Sequence, residues 1–128
     1  MELKKVVNES PSIIVVTTNY IPGKKITKLI GTIMGVTVRS RGIGGNLVAG
    51  LRSIAGGEIK EYVKMLTDAR NEAMERLKQA ASAVGANAVI DLRFDSSELG
   101  QTMSEIVAYG TAVFVEDANE NIQRVSLS

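Results

Sequence analysis

Apolar positions along this chain change period several times, and each change marks an element. From Glu58 onward they fall at three- and four-residue steps: Ile59, Tyr62, Val63, Leu66, Ala69, Ala73, Leu77, Ala80 and Val84. That spacing traces one face of an α-helix. Lys60, Lys64, Asp68, Glu72, Glu75 and Lys78 occupy the other faces. Glu58 and Glu61 stand in the first turn, where negative charge suits the helix dipole. Gly85 is the residue expected just past the end. The pattern predicts a helix of about 40 Å at 1.5 Å per residue, long for so small a chain.

The flanking segments read as strands. Ile13–Thr18 is a β-branched run, IIVVTT, and predicts a short strand. Asn19-Tyr20-Ile21-Pro22-Gly23 is turn chemistry, because proline presets φ and glycine tolerates positive φ. Ile26–Arg39 is a long β-branched run interrupted by Gly31 and Gly35. Glycines inside a strand mark a bulge or the close approach of another backbone. Asn87–Asp95 alternates, with Ala88, Ile90, Leu92 and Phe94 expected on one side and Val89, Asp91, Arg93 and Asp95 on the other. Ser96–Thr102 reads as a turn, and Met103–Glu116 returns as a strand. Symmetry about Leu99 would set Arg93 opposite Glu105. Between the second strand and the long helix, Asn46 is a good N-cap, and Leu47, Leu51 and Ile54 predict a short helix closed by Gly56-Gly57.

The order strand, strand, short helix, long helix, strand, strand gives an α+β fold: an antiparallel sheet of β-hairpins with one long helix packed on a face. Residues 13–116 form a single domain. Residues 1–12 are a polar N-terminal arm, and 117–128 a polar tail in which Ile122, Val125 and Leu127 alternate as an edge strand would. One helix covers one face of a sheet. Yet the last strand is apolar on both, with Val107, Tyr109 and Val113 on one side and Ile106, Ala108, Ala112 and Phe114 on the other. Uncovered apolar surface of that extent marks an interface, so a symmetric homo-oligomer is expected.

Composition narrows the chemistry. With 128 residues the chain is of single-domain size. Lys+Arg number 15 and Asp+Glu 14, for a net charge of +1, which lacks the basic excess of nucleic-acid domains. The acidic residues along the long helix would repel phosphates, against helix-turn-helix DNA binding. There is no cysteine and no histidine. Disulfides, thiolate and imidazole metal sites, and Cys or His catalysis are thereby excluded. No apolar run approaches the ~20 residues of a membrane helix. MELKKVVNESPS makes a poor signal peptide. A cytoplasmic location is expected.

The densest concentration of chemistry is Arg39–Tyr62, RSRGIGGNLVAGLRSIAGGEIKEY. Gly45–Ser53, GNLVAGLRS, has the glycine spacing of a P-loop, but Leu51 stands where the essential lysine belongs, so the signature fails. A looser anion site remains. Gly42, Gly44 and Gly45 can expose backbone N–H groups before a helix start, with Arg39, Arg41 and Arg52 supplying charge and Glu58 and Tyr62 at the start of the long helix. Alternatively the glycines serve tight turns and subunit contacts, and the arginines pair with Glu58 or Glu61. Glu105 and Tyr109 share one face of the last strand, and a carboxylate beside a tyrosine can do acid–base chemistry or form structural hydrogen bonds. No catalytic motif is present.

TTNYIPG (Thr17–Gly23), AGLRSIAGGEIKEY (Ala49–Tyr62), GANAVIDLRFD (Gly85–Asp95) and MSEIVAYGTAV (Met103–Val113) occur in this order and together resemble the YbjQ-like proteins. These are small uncharacterised prokaryotic proteins catalogued as "putative heavy-metal-binding". The resemblance spans about Ile14 to Glu116. It implies a dodecin-like α+β subunit assembled as a ring, a homopentamer. A metal in this chain would have to use oxygen ligands such as Asp91, Asp95, Glu98 or Glu105, which suit Mg, Ca or Mn. The functional expectation is a binding module that takes a small anionic ligand between subunits at Arg39, Arg41, Gly42, Gly44, Gly45, Arg52, Glu58 and Tyr62. A carboxylate metal binder and a purely structural or partner-binding assembly are the alternatives.

Overall fold

The computed structural model describes residues 12–40, 60–100 and 103–119. Its elements are β1 (Ile14–Val15), β2 (Lys24–Ser40), α1 (Lys60–Ala83), β3 (Ala88–Leu99) and β4 (Met103–Asp117). One sheet runs β1-β3-β4-β2 with α1 across one face, so the α+β class is as the sequence pattern predicts. The expected short helix, the glycine run, the N-terminal arm and most of the tail lie outside the described residues.

The topology departs from a sheet of hairpins. Only β3 and β4 are neighbours in both sequence and space. β1 pairs parallel with β3, β2 pairs antiparallel with β4, and β1 and β2 occupy opposite edges. A tight turn joins those edges: Lys24 N–H donates to Ile21 O at 3.0 Å, with Pro22 and Gly23 (φ 79°) between them. Proline followed by a positive-φ glycine is the chemistry of a type II turn. Residues 16–21 pass under the sheet, and Val16 and Ile21 pack on Ala88, Ile90, Val113 and Val115. Part of the face expected to be bare is therefore covered by the chain itself.

The helix sits on the other face. Ala69, Ala73, Leu77 and Ala81 are fully buried against Val89, Leu92, Ile106, Ala108 and Ala112. Ala81 takes the place expected for Ala80, while Val63 and Val84 remain exposed at the ends. The helix closes with Gly85 at φ 83°, Gly85 N–H to Ser82 O at 3.1 Å and Ala86 N–H to Ala81 O at 3.0 Å, the paired bonds of a Schellman motif.

Both strand glycines of β2 have the roles expected of such residues. The register shifts between Leu29 and Gly31, where Gly31 takes φ 148°. At Gly35 the helix backbone lies directly against the strand, so that an added Cβ would collide with Ala73 O and Leu77 N. A second bulge sits in β3. Asp91 adopts φ 54° and the β3–β4 register shifts between Ile90 and Arg93. The extra residue reverses the alternation: Val89 and Leu92 face the helix, while Ala88 and Ile90 face away. The single alternating face of Ala88, Ile90, Leu92 and Phe94 read from sequence does not form. The freed groups find partners along the edge, with Asp91 N–H on Thr18 O at 2.9 Å and Leu92 N–H on Val16 O at 3.0 Å.

Candidate functional site

Of the residues expected to bind the anion, Arg39 is the one whose side chain is described. Arg41, Gly42, Gly44, Gly45, Arg52 and Glu58 lie outside the described residues. Tyr62 stands in the first turn of α1. Arg39 stands at the end of β2, opposite Ser104, on the helix side of the sheet. There it borders an open groove of about 400 Å³, lined by Arg39, Lys64, Met65 and Asp68. The groove forms because β2 outlasts the tight Gly35–Ala73 contact while the helix continues past it toward its N-terminus.

The groove's charges are internally matched. Arg39 Nη2 is 3.1 Å from Glu72 Oε2, and Arg76 Nη2 is 2.7 Å from Glu72 Oε1. Arg76 also donates through Nη1 to Val36 O at 2.6 Å, tying helix to strand. Lys64 Nζ is 2.9 Å from Asp68 Oδ2, one helical turn away. Arg39 thus pairs with Glu72, while the alternative partners read from sequence, Glu58 and Glu61, lie outside the described side chains. Lys64, Met65, Asp68 and Glu72 were missed as neighbours of Arg39. The legible signal was the pair of i,i+4 couples, Lys64/Asp68 and Glu72/Arg76, on one side of a helix whose other side is alanine. Such a groove can hold a small charged molecule by exchanging ion pairs.

The remaining candidates lie on the sheet. Arg93 is opposite Tyr109, and Glu105 is opposite Ser97, because the hairpin is centred two residues beyond Leu99. The expected Arg93–Glu105 pair is replaced by Arg93 Nη1 on Thr17 O at 3.1 Å and Ser97 Oγ on Glu105 Oε1 at 3.1 Å. Asp91, Asp95 and Glu105 do not converge. Among the described residues no group of three or more acidic side chains could hold a metal ion. The face away from the helix carries Met34, Val36 and Val38 of β2 beside Tyr109, Val107 and Glu105 of β4, as the register sets them. Met34 is 56% exposed, Val38 48% and Tyr109 38%.

Residues 13–116 match a family model described as "Putative heavy-metal-binding", the YbjQ model. The chain belongs to the YbjQ-like family. A UPF0145 protein of Thermoplasma volcanium is 74% identical over 121 residues, covering 94% of this chain and 99% of that protein. A UPF0145 protein of Bradyrhizobium is 58% identical over 108 residues, covering 84% and 97%. A crystal structure of a protein of unknown function from Pediococcus pentosaceus, assigned to the DUF74 family, aligns with TM-score 0.54 at 17% identity over 81% of this chain and 98% of that one. That likeness concerns the fold alone. The metal in the family's description finds no matching donors here: cysteine and histidine are absent from the chain, and the described carboxylates are dispersed. No helix among the described residues is long and apolar enough to cross a membrane.

Proposed function

We propose that this chain is the subunit of a cytoplasmic homo-oligomeric ring, a pentamer by its resemblance, that binds a small anionic ligand in the Arg39 groove at sites completed by a neighbouring copy. The observation that carries the reading is the open apolar patch of exposed Met34, Val38 and Tyr109 around half-buried Val36, more apolar surface than a sheet face meant for water carries. It lies toward the same end of the sheet as the groove. Ser40, where β2 ends, and Lys60, where α1 begins, bound the segment 41–59 that carries Arg41 and Arg52.

The internal pairing of Arg39 with Glu72 and of Lys64 with Asp68 favours a second reading, an assembly without a ligand. Sedimentation tests the ring, and thermal shift across phosphates, nucleotides and carboxylates tests the ligand. An oligomer stabilised by one of these classes, with the shift lost in Arg41→Ala, is the expected result. An oligomer indifferent to all of them, with Arg41→Ala altering only assembly, leaves the second reading. A stable monomer at micromolar concentration removes both.

A further inference from the structure

We infer that this chain builds no protein-ligated site for a soft heavy metal, Zn(II), Cd(II) or Cu(I), and that the metal-binding description its family carries does not extend to it. These ions are held chiefly by thiolate, imidazole or thioether donors, with a carboxylate completing the set in some Zn(II) sites. Cysteine and histidine are missing from the whole sequence, including the segments outside the described residues. Assembly does not repair this, because a second copy brings the same side chains. A site shared between subunits is the usual way for an incomplete ligand set to be completed, and here no copy can add a thiolate or an imidazole to it.

Cu(I) has one further route, through the thioethers of Met34, Met65, Met74 and Met103, the fifth methionine, Met1, lying outside the described residues. Met34 and Met103 lie on the face away from the helix, at positions registered with Tyr109 and Ser40. Tyr109 and Met103 stand six residues apart on β4, about 20 Å at 3.3 Å per residue. Met65 and Met74 belong to the helix side, nine residues apart, about 13 Å at 1.5 Å per residue. Met65 lines the Arg39 groove and Met74 packs against the core. Two sulfurs on one ion stand no more than about 4.6 Å apart, given metal–sulfur bonds of about 2.3 Å; the first pair is out of reach even with both side chains extended, and the second leaves α1 two and a half turns apart, on opposite sides of the helix. The carboxylates Asp95 and Glu105 share a face but fall opposite different partners, Val107 and Ser97, and oxygen donors select harder ions in any case. This inference stands apart from the anion reading, since neither needs the other.

The test uses the full-length, tag-free chain purified without chelators. It is dialysed against excess Zn(II), Cd(II) or, under reductant, Cu(I), and then analysed for metal and for unfolding temperature. The expected result is metal far below one equivalent per chain and an unfolding midpoint that does not move. Binding to the folded state at a free concentration a hundredfold above Kd would raise the midpoint by several degrees. Stoichiometric metal surviving dialysis overturns the inference. Its loss in Met34→Leu would assign the donors to thioethers brought together by assembly, and its loss in Asp95→Asn or Glu105→Gln to carboxylates; either result overturns it equally.

Discussion

On its helix side the sheet is closed by backbone laid on backbone. Gly35 admits the carbonyl of Ala73, and Ala69, Ala73 and Ala81 keep the helix low enough for Leu77 to be fully buried. On the other side the cover is partial. Val16 and Ile21 shield Ala88, Ile90, Val113 and Val115, and beyond them Met34, Val38 and Tyr109 stay in contact with solvent. The same strands supply both faces. The difference lies in how closely backbones approach: glycine and alanine stand where the helix backbone lies on the sheet, and Met34, Val38 and Tyr109 stand exposed where no described element covers them. A close-packed contact gives little under substitution, whereas an open face tolerates change until a partner reads it.

The sharpest way to break the comparison is Gly35→Val. Its side chain would meet Arg76 C within 2.9 Å and collide with Ala73 and Leu77 backbone, none of which can swing aside. A loss on the order of 4 kcal/mol, or failure to fold, is expected in urea unfolding. Leu77→Ala on the same face removes a fully buried side chain beneath that contact and is expected to cost about 3 kcal/mol by the same measurement. Should both changes cost under about 1 kcal/mol, the closed face is not the seat of stability.

One polar residue interrupts the closed face. Thr37 is 1% exposed, opposite Ile106, and its hydroxyl finds no partner among the described residues. A buried hydroxyl without a partner costs free energy, so Thr37→Val is expected to raise stability by about 1 kcal/mol. A loss instead would mean that the hydroxyl has a partner in the segment 41–59 or in a first-turn side chain of α1, which would draw that segment toward the groove.

How far the sequence reached follows the same division. The helix, its glycine stop, the Pro22-Gly23 turn and both β2 glycines were legible, because each rests on a local rule of period or backbone freedom. The apolar double face of β4 was legible too. The β3 bulge was not. Ala88, Ile90, Leu92 and Phe94 alternate without a break, and the inserted residue shows only as an aspartate within an apolar run with Gly110 across from it. A Cβ at Gly110 would press on Val89 Cγ1 at 2.7 Å and Ile90 O at 2.9 Å. The pairing of β1 with β3 rests on contacts that no local pattern encodes. At the candidate groove, Arg39 was singled out from the sequence, but Glu72, its partner 33 residues away, required the helix to be docked first.

The open face is probed by Met34→Ser combined with Tyr109→Ser. Because these residues are exposed and adjacent in one cross-strand pair, subunit stability at low concentration is expected to change by less than about 0.5 kcal/mol. The proposed assembly is expected to dissociate, read as a lower sedimentation coefficient at the same concentration. An unchanged oligomer would move the interface elsewhere and detach it from the apolar patch.

The smallest effect is expected at the margin of the sheet, where neither face is involved. Lys24 Nζ meets Asp117 Oδ1 at 2.6 Å across the ends of β2 and β4. The hydrogen bond from Lys24, and then its charge, hold the Asp117 carboxyl below its ordinary value. A carboxylate lowered on folding adds stability that is complete above its unfolded pKa and is lost as pH falls through the folded one. Any contribution of this pair therefore persists at neutral pH and fades in acid. Both groups reach solvent, so screening leaves little of it. Lys24→Met is expected to return Asp117 to the ordinary carboxylate range in a carboxyl-carbon NMR titration and to leave the unfolding midpoint at neutral pH unmoved. A midpoint that falls with it would mean that the ladder end, and not the helix-covered face alone, anchors β2 to the sheet.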